Sequence, residues 1–395
     1  MTGLTQDFIT PFALALKATL SQIALLNGIP NLLAALAQLK TPELVHKLGS
    51  RKRVILPMVF LQTMMWAPIL LIPYLITSHQ AWWLIALFTL CSVSGTLGNP
   101  AWGSLMSELV SVGVRGRYFG FRSQILGLVA LVFALIAGAV LNLFSSKVFL
   151  GFSLLFAGAM LARFVSWHFL RKMYEPPLAA KRENFKIATF FSEARSSNIK
   201  RYIFFVAAMN FATNLAAPFF AVYMLQDLGF SYFTYEIVNA SATLATFLSL
   251  NFWGKRADQF GNRSALILTS CLIPFIPLLW VLNQHLYWLI PVQLLSGFAW
   301  GGFTLCSVNF VYDASPMSQR TGSIACFNAL NGIALCLGAF VGSCLITYLP
   351  SFRGSTILTV FIISGLLRLI VAVTLLPTFK EVRQGKSKLK MKKQK

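Results

Sequence analysis

Charge is what this sequence lacks. Only 11% of its 395 residues are charged, while 57% are hydrophobic. That balance leaves too little polar surface to cover a water-soluble globule, so lipid must be the solvent for most of the chain. Carboxylates are scarcest of all: 11 Asp and Glu stand against 33 Lys and Arg, for a formal charge of +22. In a soluble protein that excess would point to nucleic acid, but such binding needs one exposed basic patch. Here the basic residues lie in short stretches between apolar runs, which argues against a nucleic-acid partner.

Metal and redox chemistry are equally short of material. The six cysteines (Cys91, Cys271, Cys306, Cys326, Cys336, Cys344) all fall inside apolar runs, with no CxxC spacing and no histidine at ligand distance. They read as small packing residues, so no metal, cofactor or disulfide framework is expected. The four histidines (His46, His79, His168, His285) each lie near a loop or helix end. No GxSxG, HExxH or GxxxxGKS/T pattern occurs, so nothing assembles a nucleophile with a base, and no loop is built to cradle ATP. The chain does not read as an enzyme.

Long apolar runs are what it has. A helix rising about 1.5 Å per residue needs about 20 mostly apolar residues to cross about 30 Å of hydrocarbon with its backbone bonded internally. Runs at 20–39, 54–77, 81–106, 118–142, 148–170, 202–225, 232–253, 264–282, 286–310, 322–348 and 355–377 reach that length. A shorter stretch before them, Met1 to Leu16, crosses only partly. The expected fold class is all-α, a polytopic membrane protein of 12 transmembrane helices with the first truncated at its N-terminus. No cleavable signal pattern follows Met1, so the spans themselves are expected to direct insertion.

Basic residues near short connections stay on the cytoplasmic side. Alternate connections, beginning with that at 40–53, together with the tail, hold 28 of the 33 Lys and Arg; the opposite ones hold only Lys17, Lys147 and Arg353. The chain is therefore expected in the cytoplasmic membrane with its C-terminus in the cytoplasm. The expected organisation is an N-terminal bundle at 1–170, a cytoplasmic linker at 171–201 containing Glu175-Pro176-Pro177, a C-terminal bundle at 202–379 and a basic tail at 380–395. The tail reads as a topology signal and an anionic-lipid contact.

The two halves repeat. At a shift of 212, Asn27 falls on Asn239, Gly49 on Gly261 and Arg51 on Arg263. At a shift of 205, Glu108 falls on Asp313, Arg115 on Arg320, Gly127 on Gly332, and Arg163 on Arg368. Charged residues in register are hard to obtain by chance, so duplication is expected. The same register sets Met1 against Thr213, although the seventh span starts near Tyr202, 11 residues earlier. An upstream start is expected on that basis, with a protein working on a clipped first helix as the alternative.

Asp7 is the most informative single residue. It lies ten positions before Lys17, which by helix rise places it roughly 15 Å deep. A carboxylate at that depth marks an ion or substrate pathway by default; the alternative is a structural aspartate bonded to a neighbouring helix or sitting at a frayed helix end. Gln6, Asn27, Asn31, Gln62, Asn99, Asn210, Asn214, Asn239, Asn309, Asn328 and Asn331, with Trp102 and Trp300, are candidate lining of the same pathway. Interhelical amides also serve as glue between helices. Arg163 and Arg368 read first as structural arginines, Arg163 being within snorkelling reach of the interface, with anion binding as the other reading.

The stretch Gly254-Lys255-Arg256-Ala257-Asp258-Gln259-Phe260-Gly261-Asn262-Arg263 resembles the GxxxDxxGxR loop signature of the major facilitator superfamily. It joins spans eight and nine, where that family carries its second copy. The place of the first copy, Pro42 to Arg53, keeps Gly49, Arg51 and Lys52 but has His46 at the acidic position and Pro42 for the leading glycine. The turn from Glu108 through Arg115-Gly116-Arg117 to Gly120 is also similar to the family's pattern. The resemblance covers essentially the whole chain. It implies a monomer of two pseudo-symmetric six-helix bundles that expose a central site to each side in turn.

Charge-assisted bonding between Asp258 and Arg263 would make the loop a gating latch; the alternative is a solvated turn that only fixes topology. Glu108 with Arg115, and Asp313 with Arg320, could pair in the same way. The fifth span, Gly127 to Gly138, lacks the proline-containing glycine pattern associated with the family's proton antiporters. The functional expectation is a secondary transporter of a small, amphipathic solute, driven by a proton or ion gradient with Asp7 as the coupling group. The alternative is a non-transporting, lipid-handling protein on the same fold.

Overall fold

The computed structural model describes residues 1–111, 115–177, 197–314 and 320–382. The basic tail beyond Val382 and most of the 171–201 linker lie outside the described residues. Ten helices among those described are long and apolar enough to cross a membrane. Tyr232–Phe260 has the length, 29 residues, but Asn239, Asn251 and its serines and threonines make it more polar. The N-terminal stretch forms two short helices, Thr2–Thr5 and Ile9–Ala15, interrupted at Gln6, Asp7 and Phe8. With these, the expected all-α, twelve-segment membrane architecture is complete. Many large apolar side chains are exposed, among them Leu128, Leu248 and Val373. In water such a surface would aggregate, whereas hydrocarbon solvates it.

The chain divides into two compact units. The first comprises Met1–Arg182 with Ala221–Glu236, and the second Glu183–Phe220 with Ile237–Lys395. In the first unit, Leu20–Gln38 packs on Gln80–Leu97, and Arg51–Leu75 packs on both Gln80–Leu97 and Val148–Lys172. In the second, Ser197–Asn214 packs on Arg320–Tyr348, and Asn262–Leu272 on Leu286–Ala314.

Lipid tails are as apolar as leucine, so helices in a bilayer associate through close backbone approach and through hydrogen bonds between them. Leu286–Ala314 shows both. Gly297 lies against the Ala242 carbonyl, where any side chain would collide. Beside that contact the Thr246 hydroxyl donates to the carbonyls of Ala242 (2.9 Å) and Gly297 (3.0 Å), and Trp253 Nε1 donates to the Phe298 carbonyl at 2.8 Å. Gly95 plays the matching part in the first unit, leaving room for the buried Gln62 side chain.

Helix starts depend on side-chain caps, because the first N–H groups of a helix have no partner within it. Leu20–Gln38 begins with a capping box: Gln22 N–H donates to the Thr19 hydroxyl (3.3 Å) and Thr19 N–H to the Gln22 side chain (2.9 Å). Arg51–Leu75 follows Gly49, whose φ of 62° reverses the chain at low steric cost. Ser50 caps it by accepting from Arg53 N–H at 3.1 Å. Glu175, beyond the sixth span, then accepts from the Ser50 hydroxyl (2.7 Å) and from the backbone N–H groups of Arg51 (2.5 Å) and Lys52 (3.3 Å). Partial burial works to raise the Glu175 carboxyl. The hydrogen bonds from Ser50, Arg51 and Lys52 and the Arg51 charge together outweigh it, holding the carboxyl below the usual carboxylate range.

Two outcomes follow. Gly297→Ala should destabilise the protein by about 1–3 kcal/mol, as overpacking does, whereas Gly254→Ala, with nothing within 4 Å of its added methyl, should be tolerated. Thermal unfolding in detergent separates the two; equal tolerance of both would show that the Gly297 approach is not needed. A carboxylate held low stabilises the fold above its ordinary range, near pH 4, and loses that contribution as pH falls through its lowered value. Melting temperature should therefore drop on acidification less steeply in Glu175→Gln than in the parent, and parallel curves would refute the cap's contribution.

Candidate functional site

A turn with the same plan begins one helix in each unit. In the first, the buried Arg51 side chain makes a two-pronged pair with Glu108 of the Asn99–Leu109 helix, one arm being Nη1 to Oε2 at 3.1 Å and the other Nη2 to Oε1. Lys52 Nζ donates to the carbonyls of Arg171 (2.9 Å) and Met173 (2.7 Å). In the second, Gly261 has a φ of 92°, the buried Asn262 donates to Asp313 at 2.8 Å, and Arg263 N–H donates to Glu381 at 2.6 Å. Each turn thus combines a positive-φ glycine, a carboxylate on the helix start, and an acidic residue from the end of the next span.

Among the described residues Glu108 has a partner that its neighbours in sequence did not suggest. Glu108 pairs with Arg51, because the start of Arg51–Leu75 packs beside the end of Asn99–Leu109. Arg115 and Arg320 open their helices, but their side chains lie outside the described residues. The Arg263 guanidinium sits over the Phe379 ring, 5.9 Å from its centroid. Asp258 is exposed near the end of Tyr232–Phe260, and nothing lies close to Gly254. Glu175 and Glu381 were missed by sequence reasoning. Their separation of 206 residues, one away from the shift that relates Glu108 to Asp313, was the available signal.

The broken first helix builds a second cluster. Asp7 is half-buried in the interruption, and the carbonyl it exposes there accepts from the Tyr235 hydroxyl at 2.7 Å. Phe8 and Tyr235 meet edge to face at 6.5 Å. The next residue, Glu236, is 1% exposed, and its Oε2 has no hydrogen-bond partner. Its side chain packs on Gly138, where a Cβ would come within 2.8 Å of Glu236 Cβ. Asp7 is near enough to Glu236 for their charges to interact. Glu236 is a third residue that sequence reasoning missed; an acidic residue inside an apolar run of a chain with 11 carboxylates was its signal.

The amides expected to line a pathway have diverse surroundings. Asn27 donates to the Ile23 carbonyl (2.9 Å) and the Thr10 hydroxyl (3.4 Å), and Asn31 to the Asn27 carbonyl (2.7 Å). Asn210 donates to Asn331 (3.0 Å) and Asn214 to the Leu335 carbonyl (2.6 Å), tying Ser197–Asn214 to Arg320–Tyr348. Gln62 is buried, with its side-chain oxygen unbonded. Asn239 and Asn309 are half-buried, whereas Gln6 and Asn328 are exposed. Trp300 meets the Phe303 ring at 5.4 Å.

Asn99 and Trp102 line a cavity of about 670 Å³ within the first unit, together with Tyr118, Arg122, Arg163 and Ser166. Arg122 lies over the Trp102 ring, 4.4 Å from its centroid. Arg368, the repeat partner of Arg163, is buried and spends its donors on the Ser364 hydroxyl (3.1 Å) and the carbonyls of Ile273 and Thr213 (both 3.4 Å). Ile273 ends the Asn262–Leu272 helix, so Arg368 has a structural role at a helix break. No group of His, Cys, Asp and Glu among the described residues could hold a metal ion.

Comparison with known proteins agrees with the fold. A crystal structure of the nucleoside transporter NupG superposes with a TM-score of 0.71 at 15% identity over 96% of both chains, and one of a mutant form with 0.74 at 13% over the same shares. A bacterial homologue of the iron transporter ferroportin, in an inward-facing state, gives 0.69 at 16% over 95% of both chains. At such identities these likenesses concern the fold alone. An uncharacterized MFS-type transporter of Bacillus subtilis strain 168, YfiU, is 24% identical over 111 residues, which is 28% of this chain and 21% of YfiU. The sequence profile described as Major Facilitator Superfamily matches residues 2–220 and again 202–395. The chain therefore belongs to the Major Facilitator Superfamily of membrane transporters, as a multi-pass membrane protein.

Proposed function

We propose that this protein is a secondary transporter that moves a small, amphipathic solute by alternating access, driven by a proton gradient through Asp7 and Glu236. The observation that carries the reading is Glu236, an almost fully buried carboxylate with an unbonded oxygen beside the interruption that holds Asp7. Two carboxylates that feel each other inside a membrane protein are costly when both are charged, so taking up one proton relieves the pair. Tyr232 and Tyr235 are the other titratable groups on that turn of Tyr232–Phe260, and the Tyr235 hydroxyl is committed to the Asp7 backbone.

The glycine turns are proposed as the gate. Arg51 with Glu108, and Asn262 with Asp313, tie the start of one span to the end of the next, and such ties must break and reform if the helices move. Mostly apolar surroundings with few fixed charges favour a solute that is itself largely apolar. The bias of Lys and Arg toward alternate connections supports a cytoplasmic C-terminus in the cytoplasmic membrane. The family supports a monomer, with the two bundles at 1–170 and 202–379 as the moving bodies.

Solute-induced proton flux in sealed vesicles, screened over classes of organic cation, anion and neutral solute, tests the coupling. Flux with one class that falls at least tenfold in Glu236→Gln, and also falls in Asp7→Asn, is the expected result. Flux unchanged in both folded variants would remove the pair from the mechanism. Absence of flux with every class, from folded parent protein, would favour the non-transporting, lipid-handling alternative.

A further inference from the structure

Repeat symmetry exposes an unequal pair of arginines. Arg163 and Arg368 occupy matching positions in the two halves. Each of the three side-chain nitrogens of Arg368 has a partner, a hydroxyl or one of two carbonyls. Arg163 borders the cavity of the first unit, and its buried Nε has no hydrogen-bond partner. A guanidinium is charged at any physiological pH, and an intramembrane one without a counter-charge is costly. Among the described residues no carboxylate pairs with it.

A second guanidinium borders the same space. Arg122 lies over the Trp102 ring, and none of the described residues lining the cavity is Asp or Glu. The rest is mixed: Asn99, Ser166 and Tyr118 bring neutral hydrogen-bonding groups, and Ile55, Val59 and Phe169 bring apolar surface. At about 670 Å³ the space falls within the range of small-molecule sites. Guanidinium groups recognise carboxylates and phosphates through paired N–H donors.

We propose that this cavity binds an amphipathic anion, its carboxylate or phosphate held by Arg122 and Arg163 and its apolar part lying on Trp102, Ile55 and Val59. The site lies wholly within the first unit and does not require the transport reading. The anion could come from a soluble amphiphile or from the headgroup of an anionic lipid, which share the chemistry.

Binding tests it directly. The full chain is placed in nanodiscs of phosphatidylcholine alone, and decanoate, decyltrimethylammonium and inorganic phosphate are titrated while thermal unfolding is followed. Decanoate should raise the melting temperature at concentrations where decyltrimethylammonium does not, and its apparent Kd should weaken at least tenfold in Arg163→Gln and in Arg122→Gln. Arg163→Lys, which keeps the charge but loses the paired donors, should weaken it less. Should Arg163→Gln fail to fold, Arg122→Gln carries the test. Equal stabilisation by the cationic amphiphile, or decanoate binding unchanged in the folded arginine variants, would overturn the site. Phosphatidylglycerol in the disc that competes with decanoate in an arginine-dependent way identifies lipid as the source. Arginine-dependent decanoate binding that phosphatidylglycerol leaves unchanged identifies a soluble anion, and a response to phosphate alone identifies a headgroup that needs no tail.

Discussion

In hydrocarbon no water completes an unmet hydrogen bond, so each polar group within the spans must find its partner in the chain itself. The backbone meets that demand by forming helices almost throughout. Side chains meet it one by one. Asn214 reaches the Leu335 carbonyl, Thr246 shares its proton between the carbonyls of Ala242 and Gly297, and Arg368 turns to the carbonyls freed where a neighbouring helix ends. Against that background the unmet groups gain meaning. Glu236 Oε2 and Arg163 Nε are buried without partners, and these two atoms lead to the proposed coupling pair and the proposed anion site.

The second constraint is the scarcity of negative charge, with 11 carboxylates in the chain. Four of them serve the two glycine turns. Glu175 and Glu381 accept from the first backbone N–H groups of a helix, where the helix dipole also favours a negative charge. Glu108 and Asp313 hold the side chain at the same turn, Arg51 in one case and Asn262 in the other. The residues differ but the plan is kept, as expected when a duplicated unit drifts in sequence under one geometric requirement. Gly49 and Gly261 supply the positive φ that makes the turn possible in each copy.

The interrupted first helix links the fold to the proposed chemistry. Pro11, four residues on, has no N–H to offer the Asp7 carbonyl, so that oxygen is free to accept from another helix. The Tyr235 hydroxyl donates to it, and this bond holds Asp7 beside the turn that carries Glu236. Gly138 contributes by omission, since a side chain there would collide with Glu236. The carboxylate pair therefore rests on one helix break, one tyrosine and one missing side chain.

Much of the architecture was legible before any coordinates. Hydrocarbon imposes a length and an apolarity that can be read directly, and repeated charged residues such as Arg51 with Arg263 and Glu108 with Asp313 betrayed the two copies. The glycine turns were legible too, because a helix reversal at Gly49 or Gly261 depends on residue type. Partner choice was not legible. Arg51 takes Glu108, 57 residues away, Glu175 crosses from beyond the sixth span to cap Arg51–Leu75, and Tyr235, beside Glu236, bonds the Asp7 carbonyl 228 residues away. Periodicity records which face of a helix is apolar but not which helix that face will meet. What the sequence by itself determined was the set of spans, their duplication and the turns that begin them. Only tertiary packing decided which charges are satisfied and which buried polar atoms are left without a partner, because that depends on distances between helices far apart along the chain.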